Sequence, residues 1–248
     1  MASNSSFPPP FPAVGDASAA SPPFSPSHTR WIYPILVPFL LGILLAGSCY
    51  AASGVSLGLF FGPMLLVTFL VPPLVMGEDS NLGRLIVCLS LSAGICAVWI
   101  AVANIPAQQA FRSAAVAGAY VLALAGVASL LQWLRLGKIF SAGATVLLGA
   151  LWLTWPVWLC AWLTGPHAQA TVERLTAAHP LMAMNAVFFS RFNFWDRFPL
   201  AYQQLTILNQ DLLYSLPPSV APMVKIHGGI GAVGLSLKAV ARSVAGNR

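Results

Sequence analysis

Five stretches of the chain run for about twenty residues or more without a charged side chain. They are Trp31 to about Ser53, about Val55 to Met76, Leu85 to Asn104, Ala114 to Leu134 and Ile139 to Thr164. Each is long enough, as a helix, to cross a hydrocarbon core of about 30 Å. The pattern therefore predicts a polytopic transmembrane helical bundle, all-α, with five spans over residues 31–164. Only Ser53-Gly54 separates the first two runs, which predicts a tight helical hairpin. Gly77 to Arg84, Ile105 to Ser113 and Arg135 to Lys138 form the remaining links. Links this short make sequential helices antiparallel neighbours.

The flanking segments read differently. Residues 1–30 are rich in Pro, Ser and Ala. Such a segment buries too little apolar area to offset the entropy of ordering, so a disordered tail is expected. Residues 165–218 are expected to form an interfacial helical cap. Its aromatic cluster holds Phe188, Phe189, Phe192, Phe194, Trp195, Phe198 and Tyr202, interleaved with Arg191, Asp196 and Arg197. Amphipathic rings and arginines suit the headgroup region, so Phe192, Trp195, Arg197 and Tyr202 are the candidate interfacial or partner surface. Leu200 to Leu216 continues as an amphipathic stretch ended by Pro217-Pro218. Residues 219–240 are apolar apart from Lys225, His227 and Lys238, and predict a sixth span; an interfacial or re-entrant helix is the alternative. A basic tail, 241–248, follows.

Composition strengthens the membrane reading. Hydrophobic residues make up 58% of the chain and charged residues 7%, with a mean hydropathy of +0.78. A soluble domain carries about 25% charged residues, so too few are present here to cover a water-facing surface. The net charge of +6 comes from twelve scattered Lys and Arg with no basic stripe, which argues against nucleic acid. Arg30, Arg84, Arg135 and Lys138 fall at one set of helix ends, Arg112 and Arg174 at the other. The positive-inside rule then puts the N-terminus in the cytoplasm of a plasma or inner membrane. Cys49, Cys88, Cys96 and Cys160 lie in apolar runs with no paired spacing, and read as small packing residues.

Catalytic signals are weak. The sequence holds no H-E-x-x-H, serine elbow or paired-carboxylate motif, and no cofactor, metal or enzyme activity is expected. Glu173, Asp196, Asp211, His167 and His179 match no ligand spacing. His179, just before Pro180, reads as a solvated or capping residue at a loop-to-helix junction. His227 is the candidate intramembrane polar site, because an ionisable group inside a span is costly and usually functional. Haem ligation is conceivable there, but no second His falls in a predicted span. Hydrogen bonding to a neighbouring helix is the simpler role.

Small residues at four-residue spacing permit close helix approach. Gly54, Gly58 and Gly62 form one such ridge, Ala115, Ala119 and Ala123 a second, and Ser141, Thr145 and Gly149 a third. Prolines interrupt the first, second and fifth runs, yet none of the five holds a central ionisable residue, which counts against a coupled pump. The expected function is a non-catalytic scaffold or accessory subunit of a membrane complex. A transporter or permease component for a small solute is the alternative. The expected partners are the lipid bilayer, and other membrane subunits or a second copy.

Overall fold

A computed structural model describes residues 29–55, 57–159, 162–188 and 215–246. The described residues are helical, with no strand among them. Nine helices are seen among the described residues. These are α1 (Thr29–Ser53), α2 (Leu57–Gly77), α3 (Asn81–Ala101), α4 (Ala107–Trp133), α5 (Lys138–Leu153), α6 (Trp155–Trp158), α7 (Ala168–Ala178), α8 (Pro180–Phe188) and α9 (Ala221–Gly246). Four of them, α1 to α4, are long and apolar enough to cross a membrane. By that length and composition the chain is a multi-pass helical membrane protein. The N-terminal segment 1–28, Cys160 and residues 189–214 lie outside the described residues, so the expected tail and most of the aromatic cluster do too.

The fifth uncharged run departs from expectation. It predicted one helix over 139–164, but α5 stops at Leu153 after 16 residues, about 24 Å at 1.5 Å per residue. Pro156 contributes to the break. It has no N–H to give, and its ring crowds the carbonyl four residues back; α1 and α2 run on through such prolines, whereas here the helix yields. The chain makes one separate turn, α6, with Pro156 in its first positions.

Local chemistry sets the other boundaries. Gly54 adopts φ +60° and donates from its N–H to the Tyr50 carbonyl, closing the α1–α2 turn in the left-handed conformation that glycine accepts without strain. Ser80 caps α3, its Oγ accepting from the Gly83 N–H at 2.9 Å. Hydroxyls inside the long helices are satisfied by their own helix. Thr68, Ser92, Ser129 and Thr145 each donate to the carbonyl four residues earlier.

Proline in α2 calls in a partner from α3. Pro63 cannot donate to the Leu59 carbonyl. The Trp99 indole N–H donates to that carbonyl instead, at 3.3 Å. Both Leu59 and Trp99 are fully buried, where an unsatisfied carbonyl is expensive.

Glycines decide which helices come closest. On α1 and α3, a Cβ added to Gly42 or Gly94 would run into the other helix's backbone. On α4 and α9, a Cβ on Gly126 would lie 2.6 Å from the Gly231 Cα, and one on Gly234 would strike Gly126 itself. These two helix pairs make the most extensive contacts of the bundle. The α9 helix runs parallel to α4, since Val220 lines a cleft with Arg112 while Leu235 accepts a hydrogen bond from Asn81 at the opposite end. Its buried face is Met223, His227, Gly231 and Gly234.

The sequence ridges divide. Gly62 packs on Cys49, a Cβ there falling 2.5 Å from its sulfur, and Gly58 is half-buried. Gly54 occupies the turn rather than a helix interface. Ser141, Thr145 and Gly149 are all buried, as are Ala119 and Ala123, while Ala115 is exposed.

One buried cation ties the Arg84 end of the bundle together. Arg84 is fully buried. Its Nε donates to the Glu78 carbonyl at 3.0 Å, Nη1 to Ser129 Oγ at 2.6 Å and Nη2 to Gln132 Oε1 at 2.7 Å. The α2–α3 loop, α3 and α4 are thereby joined by one planar guanidinium, whose fork suits several acceptors at once. Lys138 at the start of α5 pairs with Asp79 in the same loop at 3.4 Å, an exposed contact of small energetic weight.

Candidate functional site

The bundle's main polar constellation forms where α5 ends. A helix leaves its last carbonyls without N–H partners. At α5 these are met by side chains. The Trp158 indole donates to the Leu151 carbonyl at 2.9 Å, and His179 Nε2 reaches the Leu153 carbonyl at 3.2 Å. On its other side, His179 Nδ1 accepts the Met182 N–H at 3.3 Å, capping the first turn of α8. One imidazole thus closes the C-terminus of α5 and the N-terminus of α8. The Met182 amide can only donate, so Nδ1 is the unprotonated nitrogen and Nε2 carries the proton.

His179 is buried, its ring edge-on to Trp155 with centroids 6.0 Å apart. It lies in the α7–α8 junction, outside the four long helices. Burial pushes its pKa down to about 3; the carbonyls of Leu153 and Trp152 oppose the shift and nearby His227 adds to it. The capping role expected from its place before Pro180 is the one it has, but the side chain is not solvated.

Trp152 stands between the two histidines. Its ring centroid is 5.8 Å from that of His179 and 6.1 Å from that of His227. Its indole N–H donates to His227 Nε2 at 3.1 Å. An indole N–H only donates, so His227 carries its proton on Nδ1 and gives it to the Met223 carbonyl at 3.1 Å. The two histidines are therefore held neutral in opposite tautomers. Next to His227 sits Tyr120, with ring centroids 5.9 Å apart. The Tyr120 hydroxyl hydrogen-bonds Thr68 Oγ1 at 2.9 Å and lies 3.5 Å from the Gly149 carbonyl. The constellation links α2, α4, α5, α8 and α9.

His227 and His179 come together around one indole, although the sequence placed them in different domains. Haem ligation needs a ring nitrogen with a free lone pair. Both unprotonated nitrogens here are already occupied by N–H donors, so this geometry does not present a bis-histidine iron site. Among the described residues, no group of three or more His, Cys, Asp or Glu side chains is positioned to hold a metal.

A cavity of about 210 Å³ adjoins the cluster, between α4, α5 and α9. Tyr120, Thr145, Gly149, Trp152 and His227 line its floor, and Leu148, Ile226 and Ile230 its rim. The rim residues are about half exposed, so the cavity opens sideways from the bundle.

Comparison with protein-family models, curated proteins and solved structures yields no match.

The candidate surface Phe192, Trp195, Arg197 and Tyr202 lies outside the described residues. Its neighbour Phe188 ends α8, fully buried and stacked on Phe60 of α2 with centroids 3.7 Å apart. Sequence reading missed Trp152, Tyr120 and Thr68 as members of the cluster, and Arg84 as a buried residue. A signal existed only for donors to the end of α5: a proline inside an apolar run, Pro156, can leave carbonyls that require donors, and Trp158 and His179 supply them.

Proposed function

We propose that this chain is a non-catalytic subunit, a scaffold or accessory component of a membrane complex. The observation that carries the reading is the surface of α1. Only 22% of its apolar window is buried within the chain, against 56–61% for α2 to α4. Ile32, Leu36, Leu40 and Leu44 stand exposed along it. A peripheral helix with so exposed an apolar window offers packing surface to another membrane helix. The self-satisfied histidine cluster supports the same reading, because its polar atoms serve helix ends and neighbouring side chains.

In this reading α5 and α9 also traverse the membrane, giving six crossings, with the N-terminus and Arg248 on the cytoplasmic side. The parallel course of α4 and α9 supports that arrangement. Reporters fused after Arg248 and inserted at Gly137 would then give the same cytoplasmic signal; opposite signals would reject it. The alternative, a transport component for a small solute, draws on the prolines inside α1 and α2 and on the break after Leu153.

The deciding experiment is extraction in a mild detergent, with a photoreactive amino acid at Leu36, Leu40 or Leu44. A protein cross-link at these positions and a co-purifying subunit or second copy are expected. A lone monomer cross-linked only to lipid would overturn the proposal. Solute uptake by liposomes holding the chain alone would favour the alternative.

A further inference from the structure

We infer that the cavity between α4, α5 and α9 is a binding site for an acyl chain of a membrane phospholipid. Depth is the first argument. Tyr120, on the cavity floor, lies at the midpoint of α4, one of the four membrane-length helices. An opening at that level faces hydrocarbon, not water or headgroups.

The chemistry of the wall is the second. Each polar side chain lining the cavity already has a partner. Tyr120 bonds Thr68, Thr145 bonds the Ser141 carbonyl at 2.7 Å, Trp152 bonds His227, and His227 bonds the Met223 carbonyl. The rest of the lining is aliphatic: Ala123, Leu124, Val127, Leu148, Ile226 and Ile230. A water needs two to four polar partners, and a void without them stays dry. A polar solute would likewise lose its hydration with nothing in return. A hydrocarbon segment loses nothing and gains dispersion contacts.

Size and position are the third. An apolar cavity of about 150 Å³ takes up benzene, so about 210 Å³ holds a longer aliphatic segment. The rim is open sideways through Leu148, Ile226 and Ile230, which lets a chain enter while its headgroup stays outside. Lys225 lies only two residues from His227, close to the level of Tyr120, so it is too deep to meet a headgroup. Acyl chains make up the hydrocarbon at that depth, so the occupant is a phospholipid chain whose headgroup stays at the membrane surface. The site does not depend on α1 having a protein partner, so either proposal can fail alone.

The test uses the full chain in phosphatidylethanolamine–phosphatidylglycerol vesicles doped with a phosphatidylglycerol carrying a mid-chain diazirine. After photolysis, labelling at Leu148, Ile226 and Ile230 should exceed that at Leu36, Leu40 and Leu44 of α1 several-fold. Filling the cavity by Val127→Trp should reduce the first set to the level of the second and leave the second unchanged. Should Val127→Trp also disturb labelling of α1, Leu148→Trp at the more tolerant rim serves the same purpose, read at Ile226 and Ile230 alone. Equal labelling of both sets in the unaltered chain would overturn the inference. So would undiminished labelling in a folded cavity-filled variant, or preferential labelling by a diazirine isoprenoid alcohol over the phospholipid.

Discussion

His179 donates from Nε2 to the carbonyl of Leu153 at 3.2 Å, and that bond holds the broken end of α5 against the start of α8. A second proton has no room. Nδ1 already accepts the Met182 N–H, so a protonated ring would set two N–H groups against each other. The ring's pKa is 6.5 when unperturbed and about 3 in the fold. Between those values the unfolded state binds more protons than the folded one, so stability rises with pH. The contribution is complete above about 6.5 and is lost progressively as pH falls towards 3. Thermal unfolding in detergent, followed from pH 7.5 to 4, should show a falling midpoint. His179→Asn, which can still cap α8 and does not titrate, should flatten that slope. An unchanged slope in the variant would contradict the assignment.

The bond from Trp99 to Leu59 exists because Pro63 left a carbonyl vacant. Trp99→Phe keeps most of the ring and removes the donor. The cost should be about 1–3 kcal/mol, the penalty for a buried unsatisfied acceptor. In a Pro63→Ala background the helix supplies its own donor, and Trp99→Phe should then cost less. Equal costs in the two backgrounds, in a double-mutant cycle by thermal or steric-trap unfolding, would show that the bond contributes nothing.

Close approach of α4 and α9 depends on glycine at Gly126. Gly126→Ile should separate the helices and destabilise by about 1–3 kcal/mol or more, as overpacking does. Gly229→Ala, where nothing lies within 4 Å of the new methyl, should be neutral or slightly stabilising. Cysteine cross-linking between α4 and α9 would register the difference. Similar behaviour of the two variants would count against a backbone-to-backbone contact.

Arg84 reaches the Glu78 carbonyl, Ser129 and Gln132 with three different nitrogens. Lysine has one. Arg84→Lys should therefore lose about 1–3 kcal/mol per stranded acceptor and lower the yield of folded protein, despite keeping the charge. Wild-type stability in Arg84→Lys would mean that charge alone is needed there.

Much of this architecture is set locally. Uncharged runs of membrane length determine α1 to α4, because a long apolar segment must satisfy its backbone within its own helix. Short links determine that these helices alternate in direction. Pro156 favours a break in the fifth run through its missing N–H, but α1 and α2 continue through prolines of their own, so local sequence does not decide between a break and the unbroken span that the run's length suggested. What local sequence does not specify is which partner answers each vacancy. The Leu59 carbonyl could be met by any nearby donor, and only folding brings Trp99 to it. Leu153 is met by His179, 26 residues away, and Trp152 by His227, 75 residues away. Arg84 reads in sequence as a charge at a helix end, and becomes a buried joint only because α4 presents Ser129 and Gln132 to it. The ridge at Gly54, Gly58 and Gly62 marks where close packing is permitted, yet the tightest crossings fall at Gly42 with Gly94 and at Gly126 with Gly231 and Gly234. Small residues allow approach on any face, and tertiary packing selects which face is used.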